Sequence, residues 1–331
     1  MTSPPVRQPS PDRPSAEQAA AILRTMVSMS RLRGRLDGFQ IIKATTSRIV
    51  ARAGFDGKRC FLKAFLQPDG PERARAVEAE LAIAARALGS GPYRVVRCLF
   101  AARRVGFVVL SPVPGEPLGT FLLGKDRILA AETFGMAGGW LDAYCRPRRE
   151  RRNFDAARFL RTRAAHFDRP FIKRMRETEG IAAALGERVE QLAGSLESRP
   201  LQVAASHGDF IARNLHRDGG RIHGFDIEGF SPRVIADEVA HFLVDFQTSA
   251  PLAEDTICGI DAAAWRAMRA SGVLPEAEWQ RLMPLYVAWQ IERRHPTTAP
   301  YPAARARLER MAGRLLDDPA SRPAPRFRAV R

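Results

Sequence analysis

The sequence predicts an α+β fold in which a small β-rich lobe precedes a larger, mainly helical one. Three observations carry this expectation. Between Gly38 and Val113, short runs rich in β-branched and aromatic residues alternate with polar or glycine-containing turns. From about Leu118 to Leu316, alanine, leucine and arginine dominate and most windows read as helix. One turn-rich stretch, Val203 to Phe230, interrupts that helical texture.

The first 18 residues, opening MTSPPVRQPSPDRPS, are rich in Pro, Ser and Arg, cannot build a core and read as disordered. FQIIKATTSRIVARAGFDGKRCFLKAFL then supplies three strands, with Asp56-Gly57 as a hairpin turn. PERARAVEAELAIAARALGSG reads as a helix. Pro71 suits its first turn, Leu81, Ile83 and Leu88 carry it with the alanines, and Gly89 or Gly91 stops it. VVRCLFAAR and VGFVVLS add two strands and complete a lobe over residues 38–113. PVPGEPLG marks the join to a helical lobe over residues 114–316. The basic tail 317–331, DDPASRPAPRFRAVR, reads as disordered. Ligands favour clefts between such units.

Composition narrows the function classes. No apolar run approaches the roughly 18–20 residues of a membrane span, and the strongest, VGFVVLSPV, suits a buried strand. No apolar stretch follows a basic start, so no secretory signal is read. Four dispersed cysteines form neither a zinc framework nor a disulfide scaffold, and a reducing cytoplasm is the expected setting. The formal charge is +16, and arginine concentrates in Cys145–Arg176. Such a block serves nucleic acid, peripheral contact with an anionic surface, an anionic substrate, or simply a solvated helix face. No zinc-finger spacing, RNP-like aromatic motif or basic zipper accompanies it, which argues against nucleic acid.

Against that charge, SHGDFIARNLHRDGGRIHGFDIEGF (Ser206–Phe230) gathers acids and an amide around a turn signal, Arg217-Asp218-Gly219-Gly220. If the flanks pair as a hairpin, Asn214 and Asp226 meet near its open end. Their hard oxygens suit Mg²⁺, with room left for phosphate oxygens. Glu228, two residues on, would serve a second ion or the metal-bound waters. Asp209, five residues before Asn214, would orient a substrate hydroxyl and accept its proton. His207 suits a structural hydrogen bond to backbone better than a base. A zinc set of His207, Asp209, His216 and His223 lacks a compact ligand pair. The remaining alternative is a polar loop with no chemistry.

HGDFIARN resembles the HGDxxxxN catalytic loop of the aminoglycoside phosphotransferase and choline kinase families, which share the protein-kinase-like fold. GFDIEGF resembles their metal-binding segment, and ADEVAHFLVDF the helix whose first acid braces the catalytic loop, a part that would fall to Asp237. The resemblance runs in order from Gly38 to Leu316. It implies a bilobal protein-kinase-like fold with a strand lysine, Lys63 in CFLKAFL, holding the nucleotide's phosphates. A buried lysine needs a partner; the following helix offers Glu80, with Glu78 second. The phosphate loop would be Ala44–Arg48, with Thr46 and Ser47 as contacts and Arg48 adding charge. It lacks the glycines of protein kinases. VVLSPVPGEPL resembles the hinge, where the Ser111 carbonyl and Val113 N–H would meet the purine edge. Gly208 and Glu228 stand where protein kinases normally carry arginine and glycine, which argues against that class.

The expected function is therefore an ATP-dependent phosphotransferase, with GTP as the alternative nucleotide. It would move the γ-phosphate to a hydroxyl of a small molecule or glycan. Asp209 would act as base, Asn214, Asp226 and Glu228 as Mg²⁺ ligands, and Lys63, Glu80, Thr46, Ser47, Ser111 and Val113 as nucleotide contacts. The basic charge favours an anionic acceptor. The different-class alternative is a catalytically silent kinase-like protein that binds an anionic partner.

Overall fold

A computed structural model describes residues 13–175, 180–228 and 232–322. Of the two expected tails, residues 1–12 and 323–331 lie outside the described residues. The chain divides into two compact units. Among the described residues, one comprises 13–89, 95–114 and 227–228, the other 90–94, 115–175, 180–226 and 232–322.

The first unit opens with helix α1 (Ala16–Ser28), which begins inside the stretch expected to be disordered. Its start is a capping box: the Gln18 N–H donates to Ser15 Oγ and the Ser15 N–H to Gln18 Oε1. Ala19, Leu23, Met26 and Val27 recur at helical spacing and join the core under the sheet with Ile49, Leu62 and Phe107. Strands β1 (Leu36–Ala44), β2 (Arg48–Phe55) and β3 (Lys58–Phe65) form a meander. Asp56 and Gly57 take φ of 49° and 73°, the left-handed pair a tight two-residue hairpin requires. Helix α2 (Gly70–Leu88) follows, with Pro71 in its first turn. After β4 (Tyr93–Val95) come β5 (Cys98–Ala102) and β6 (Phe107–Leu110), giving an antiparallel sheet in the order β1-β2-β3-β6-β5. Lys63 lies on the central strand between Val50 and Val108, which is why it is buried.

Tyr93 and Arg94 of β4 belong to the second unit. There the chain runs through β7 (Glu116–Pro117), α3 (Leu118–Leu122), α4 (Arg127–Cys145), β8 (Glu150–Asn153), α5 (Ala156–Phe167), α6 (Pro170–Met175), α7 (Gly180–Ser195) and β9 (Pro200–Ala205). Next come β10 (Leu215–Asp218), β11 (Arg221–Gly224), β12 (Pro232–Val234) and α8 (Ile235–Ser249). Helices α9 (Ala262–Ala270), α10 (Glu276–Arg281), α11 (Met283–Arg294) and α12 (Pro302–Asp317) complete it. One sheet runs β4-β11-β10-β7 and another β12-β9-β8. Strand β8 falls in a region expected to be helical. Its residues, ERRN, show no alternation, all four are exposed, and the strand is held by backbone pairing to β9. Trp140, Tyr144, Phe210 and Phe242 form the aromatic centre. All four tryptophans are buried. Among the described residues no helix is long and apolar enough to cross a membrane.

Candidate functional site

Strand β9 delivers the chain to Ser206-His207-Gly208-Asp209. Gly208 has φ 84°, a left-handed conformation that a side chain would oppose. It turns the chain sharply and leaves Asp209 nearly half exposed. The Asn214 amide nitrogen donates to the Asp209 carbonyl at 2.8 Å and to Asp209 Oδ2 at 3.0 Å. Both amide hydrogens of the buried Asn214 are thus engaged, and its Oδ1 remains as a hard acceptor. On the other side of Asp209, His241 Nε2 lies 3.8 Å from Oδ1. Burial, then Arg294, Arg293, Arg233 and Arg213, push the His241 pKa well down, so this contact is polar and not ionic.

His207 is buried edge-on against Trp140 and Phe210, a packing position consistent with a structural part. The acid that meets the loop backbone is Glu238 on α8. Its Oε1 accepts from Ser206 Oγ and, at 3.3 Å, from the Gly208 N–H. Asp237, the expected brace, instead accepts from Gln290 Nε2 at 2.7 Å. Successive helix residues point about 100° apart, so two adjacent acids cannot both face the loop. Burial pushes the Glu238 pKa up to about 7, with Asp237 adding to the shift and the Ser206 hydrogen bond opposing it.

Strands β10 and β11 pair with Leu215 opposite Gly224 and His216 opposite His223, and the Phe225 N–H donates to the Asn214 carbonyl at 3.1 Å. Asp226 therefore follows directly on the rung that Asn214 closes. Gly224 packs so tightly on the Trp140 ring that a Cβ there would overlap it. Asp226 has φ 64°, one of four non-glycine residues in the left-handed region among those described. Such strain persists where the surroundings demand a particular side-chain direction. No three His, Cys, Asp or Glu side chains converge as metal ligands among the described residues.

In the first unit, Lys63 Nζ lies 2.6 Å from Glu228 Oε1, which also pairs with Arg48; Arg73 reaches Oε2 at 3.1 Å. Glu228, expected as a metal ligand, thus has both carboxylate oxygens on cations, for the physical reason that three of them surround it. Arg73 had not been expected. It precedes Glu80 by seven residues, two helical turns, and so shares its face of α2. Glu80 is buried on that face, whereas Glu78 is engaged bidentately by Arg103 at 2.6 and 3.0 Å.

The turn before β2 closes on Thr45, whose Oγ1 accepts from the N–H groups of Ser47 at 3.4 Å and Arg48 at 3.1 Å. Thr46 is exposed and Ser47 half-buried. At the end of β6, Ser111 is buried and fixed: its N–H donates to the Arg97 carbonyl at 2.9 Å and its Oγ accepts from the Arg97 N–H at 3.1 Å. The Ser111 carbonyl and the Val113 N–H have no hydrogen-bond partner among the described residues.

No protein-family model matches the chain, and no curated protein matches it in sequence. Solved structures do match. A choline/ethanolamine kinase family protein from Mesorhizobium loti is 16% identical, covers 91% of this chain and 96% of its own, and superposes with a TM-score of 0.58. Amicoumacin kinase hAmiN, in complex with AMP-PNP, Ca²⁺ and Ami, is 14% identical over 92% of this chain and 98% of its own, with a TM-score of 0.53. A thermostable mutant of aminoglycoside phosphotransferase APH(4)-Ia, in a ternary complex with AMP-PNP and hygromycin B, is 12% identical over 88% and 97%, with a TM-score of 0.56. At these identities the likeness establishes the fold. It is the kinase-like fold of these phosphotransferases, with a β-sheet N-terminal region and a mainly helical C-terminal one.

Proposed function

We propose that the protein is an ATP-dependent phosphotransferase acting on a hydroxyl of a small molecule or glycan in the cytoplasm. Residues 38–113 would serve as the nucleotide-binding lobe and residues 114–316 would carry the catalytic loop. The observation that carries this reading is the Asp209–Asn214 pair. Asn214 holds the Asp209 carboxylate by one oxygen, leaving Oδ1 beside a neutral histidine, and keeps its own Oδ1 for a hard cation. The nucleotide complexes among the structural neighbours agree with it.

The donor set fits Mg²⁺. Asn214 Oδ1 and the Asp226 carboxylate would hold it, and it would neutralise charge on the phosphates. Lys63, steadied by Glu80, would grip the α- and β-phosphates, with Thr46, Ser47 and Arg48 above them and Arg73 beside them. The unpartnered Ser111 carbonyl and Val113 N–H suit the purine edge. Asp209 Oδ1 would orient the acceptor hydroxyl and take its proton as the hydroxyl oxygen bonds to the γ-phosphorus and the bond to the β,γ-bridging oxygen breaks.

The second reading, a silent kinase-like binder, is favoured by one observation: Glu228 engages Lys63, Arg48 and Arg73, the cations a nucleotide needs. Thermal stability with ATP, GTP or neither, with and without Mg²⁺, separates the two when wild type is compared with Asp226→Ala. A magnesium-dependent shift absent from the variant is the expected result. Folded protein that shifts with neither nucleotide would sink the phosphotransferase.

A further inference from the structure

The arginine-rich segment builds the wall of a cavity. In the second unit an open cavity of about 600 Å³ is lined by one stripe of α5, one of α11, the β8-β9-β12 sheet, and Gly208 with Asp237. Residues 158, 159, 162, 163 and 166 recur at helical spacing along α5, with Asp155 and Arg169 at its flanks, so this side of the segment lines the cavity. That size suits a small molecule. Gly208 is the immediate neighbour of Asp209, so the cavity opens beside the candidate base.

The charge inside is unbalanced. Six arginines line the cavity against two acids, Asp155 and Asp237. Arg163 is neutralised by Glu292 and Glu190, and Arg152 by Glu150. The other four guanidinium groups, of Arg158, Arg169, Arg233 and Arg293, have no hydrogen bond or ion pair with any described residue. Two acids are too few to balance them: Asp155 caps α5 at the Arg158 N–H (2.7 Å), and Asp237, which accepts from Gln290, acts on Arg293. Burial pushes the Arg293 pKa down; Asp237 and Glu238 oppose the shift, and Arg294 and Arg233 add to it. Between them Phe159, Tyr286 and Trp289 supply an apolar floor. Guanidinium forks lining one cavity with an aromatic floor suit an oxyanion on a compact organic body.

We propose that this cavity is the acceptor subsite, and that it selects a small polyhydroxylated acceptor carrying an oxyanion group, a phosphate ester or a carboxylate. Arg158, Arg169, Arg233 and Arg293 hold that group while a hydroxyl elsewhere on the molecule reaches Asp209. A polycationic acceptor is rejected by the same four charges. The proposal rests on the phosphotransferase reading.

Titration calorimetry of the full chain at low salt, with glucose 1-phosphate, glucuronate, glucose and glucosamine as probes, tests it. Glucose 1-phosphate or glucuronate binds and the other two do not; a response to the phosphate ester alone or the carboxylate alone identifies the group. The double variant Arg158→Gln/Arg233→Gln alters two exposed residues, keeps the wild-type thermal midpoint, and weakens anion binding about ten-fold or more. Equal binding of glucose, binding by neither anion, or undiminished affinity in the double variant overturns the proposal. The Mg·ATP thermal shift is read in parallel. If it is present while the anions fail, the cavity assignment alone is lost. If anions bind where Mg·ATP does not, the acceptor role falls together with the phosphotransferase.

Discussion

The Lys63 ammonium lies 2.6 Å from the Glu228 carboxylate, and Arg48 and Arg73 close on the same two oxygens. Lys63 is almost fully buried and Glu228 about one-third exposed, so the pair is only partly screened. A carboxylate gripped by three cations occupies them as a phosphate would. Glu228→Gln removes the competing charge and leaves the cations to repel one another. The expected result is a lower thermal midpoint without ligand, with a Kd for Mg·ATP about three- to ten-fold lower. A metal-ligand role predicts the opposite, so weaker nucleotide binding in this variant would return Glu228 to the magnesium set.

Asp226 holds a left-handed φ of 64°, in a segment whose next residue belongs to a different compact unit. Alanine opposes that conformation and glycine accepts it. Asp226→Gly is expected to be more stable than Asp226→Ala by about 1 kcal/mol, while both lose the magnesium-dependent nucleotide shift. Urea denaturation of the two variants checks this. Equal midpoints would mean the backbone is not strained there, and the carboxylate's direction would need another cause.

Glu238 gives the Ser206–Asp209 loop a pH signature. Its folded pKa, raised by burial to about 7, stands above the ordinary 4.5. Between those values the folded state binds more protons than the unfolded one, so this group's contribution is full below pH 4.5 and is lost as pH rises through 7. Glu278, also raised to about 7 by burial, acts in the same sense. His166, His223 and His241, with lowered pKa values, act in the opposite sense. Comparing wild type with Glu238→Gln cancels these shared terms. The variant should gain on the wild type between pH 5 and pH 8, by an amount on the order of 3 kcal/mol at most. A difference in unfolding free energy that stays flat across that range would place the Glu238 pKa near its ordinary value.

The local features were legible because their physics is local. Asp56-Gly57 specifies its turn by backbone preference. Lys63, in a run of apolar residues, already required a buried charge. Helix α1 could have been read from Ser15 and Gln18, a capping box standing beside a proline-rich stretch that drew the reading toward disorder. What was not legible depends on distant parts of the chain meeting. Glu228 joins Arg48 and Arg73 across 180 and 155 residues, and nothing near GFDIEGF signals it. Strand β8 exists only because β9 pairs with it. The choice between Asp237 and Glu238 turned on the rotation of α8, which two adjacent acids do not reveal.

Arg163 separates structure from recognition within the arginine-rich segment. It is buried, donates to Glu292 from Nε at 2.8 Å and Nη2 at 2.6 Å, and to Glu190 from Nη1 at 2.8 Å. Glu292 is buried too, so removing the arginine strands a carboxylate away from water. Breaking such a pair from one side typically costs about 3–5 kcal/mol. Arg163→Met should therefore lose stability on that scale, whereas Arg233→Gln, at an exposed position on the cavity wall, should stay within about 0.5 kcal/mol of wild type. The double variant Arg163→Met/Glu292→Met should recover most of the loss, because replacing both charges by apolar groups leaves neither stranded. Denaturation midpoints for the four proteins decide the matter. If Arg163→Met is as mild as Arg233→Gln, the buried pair does not hold α5 to α11, and the wall of the cavity must be supported by its aromatic contacts alone.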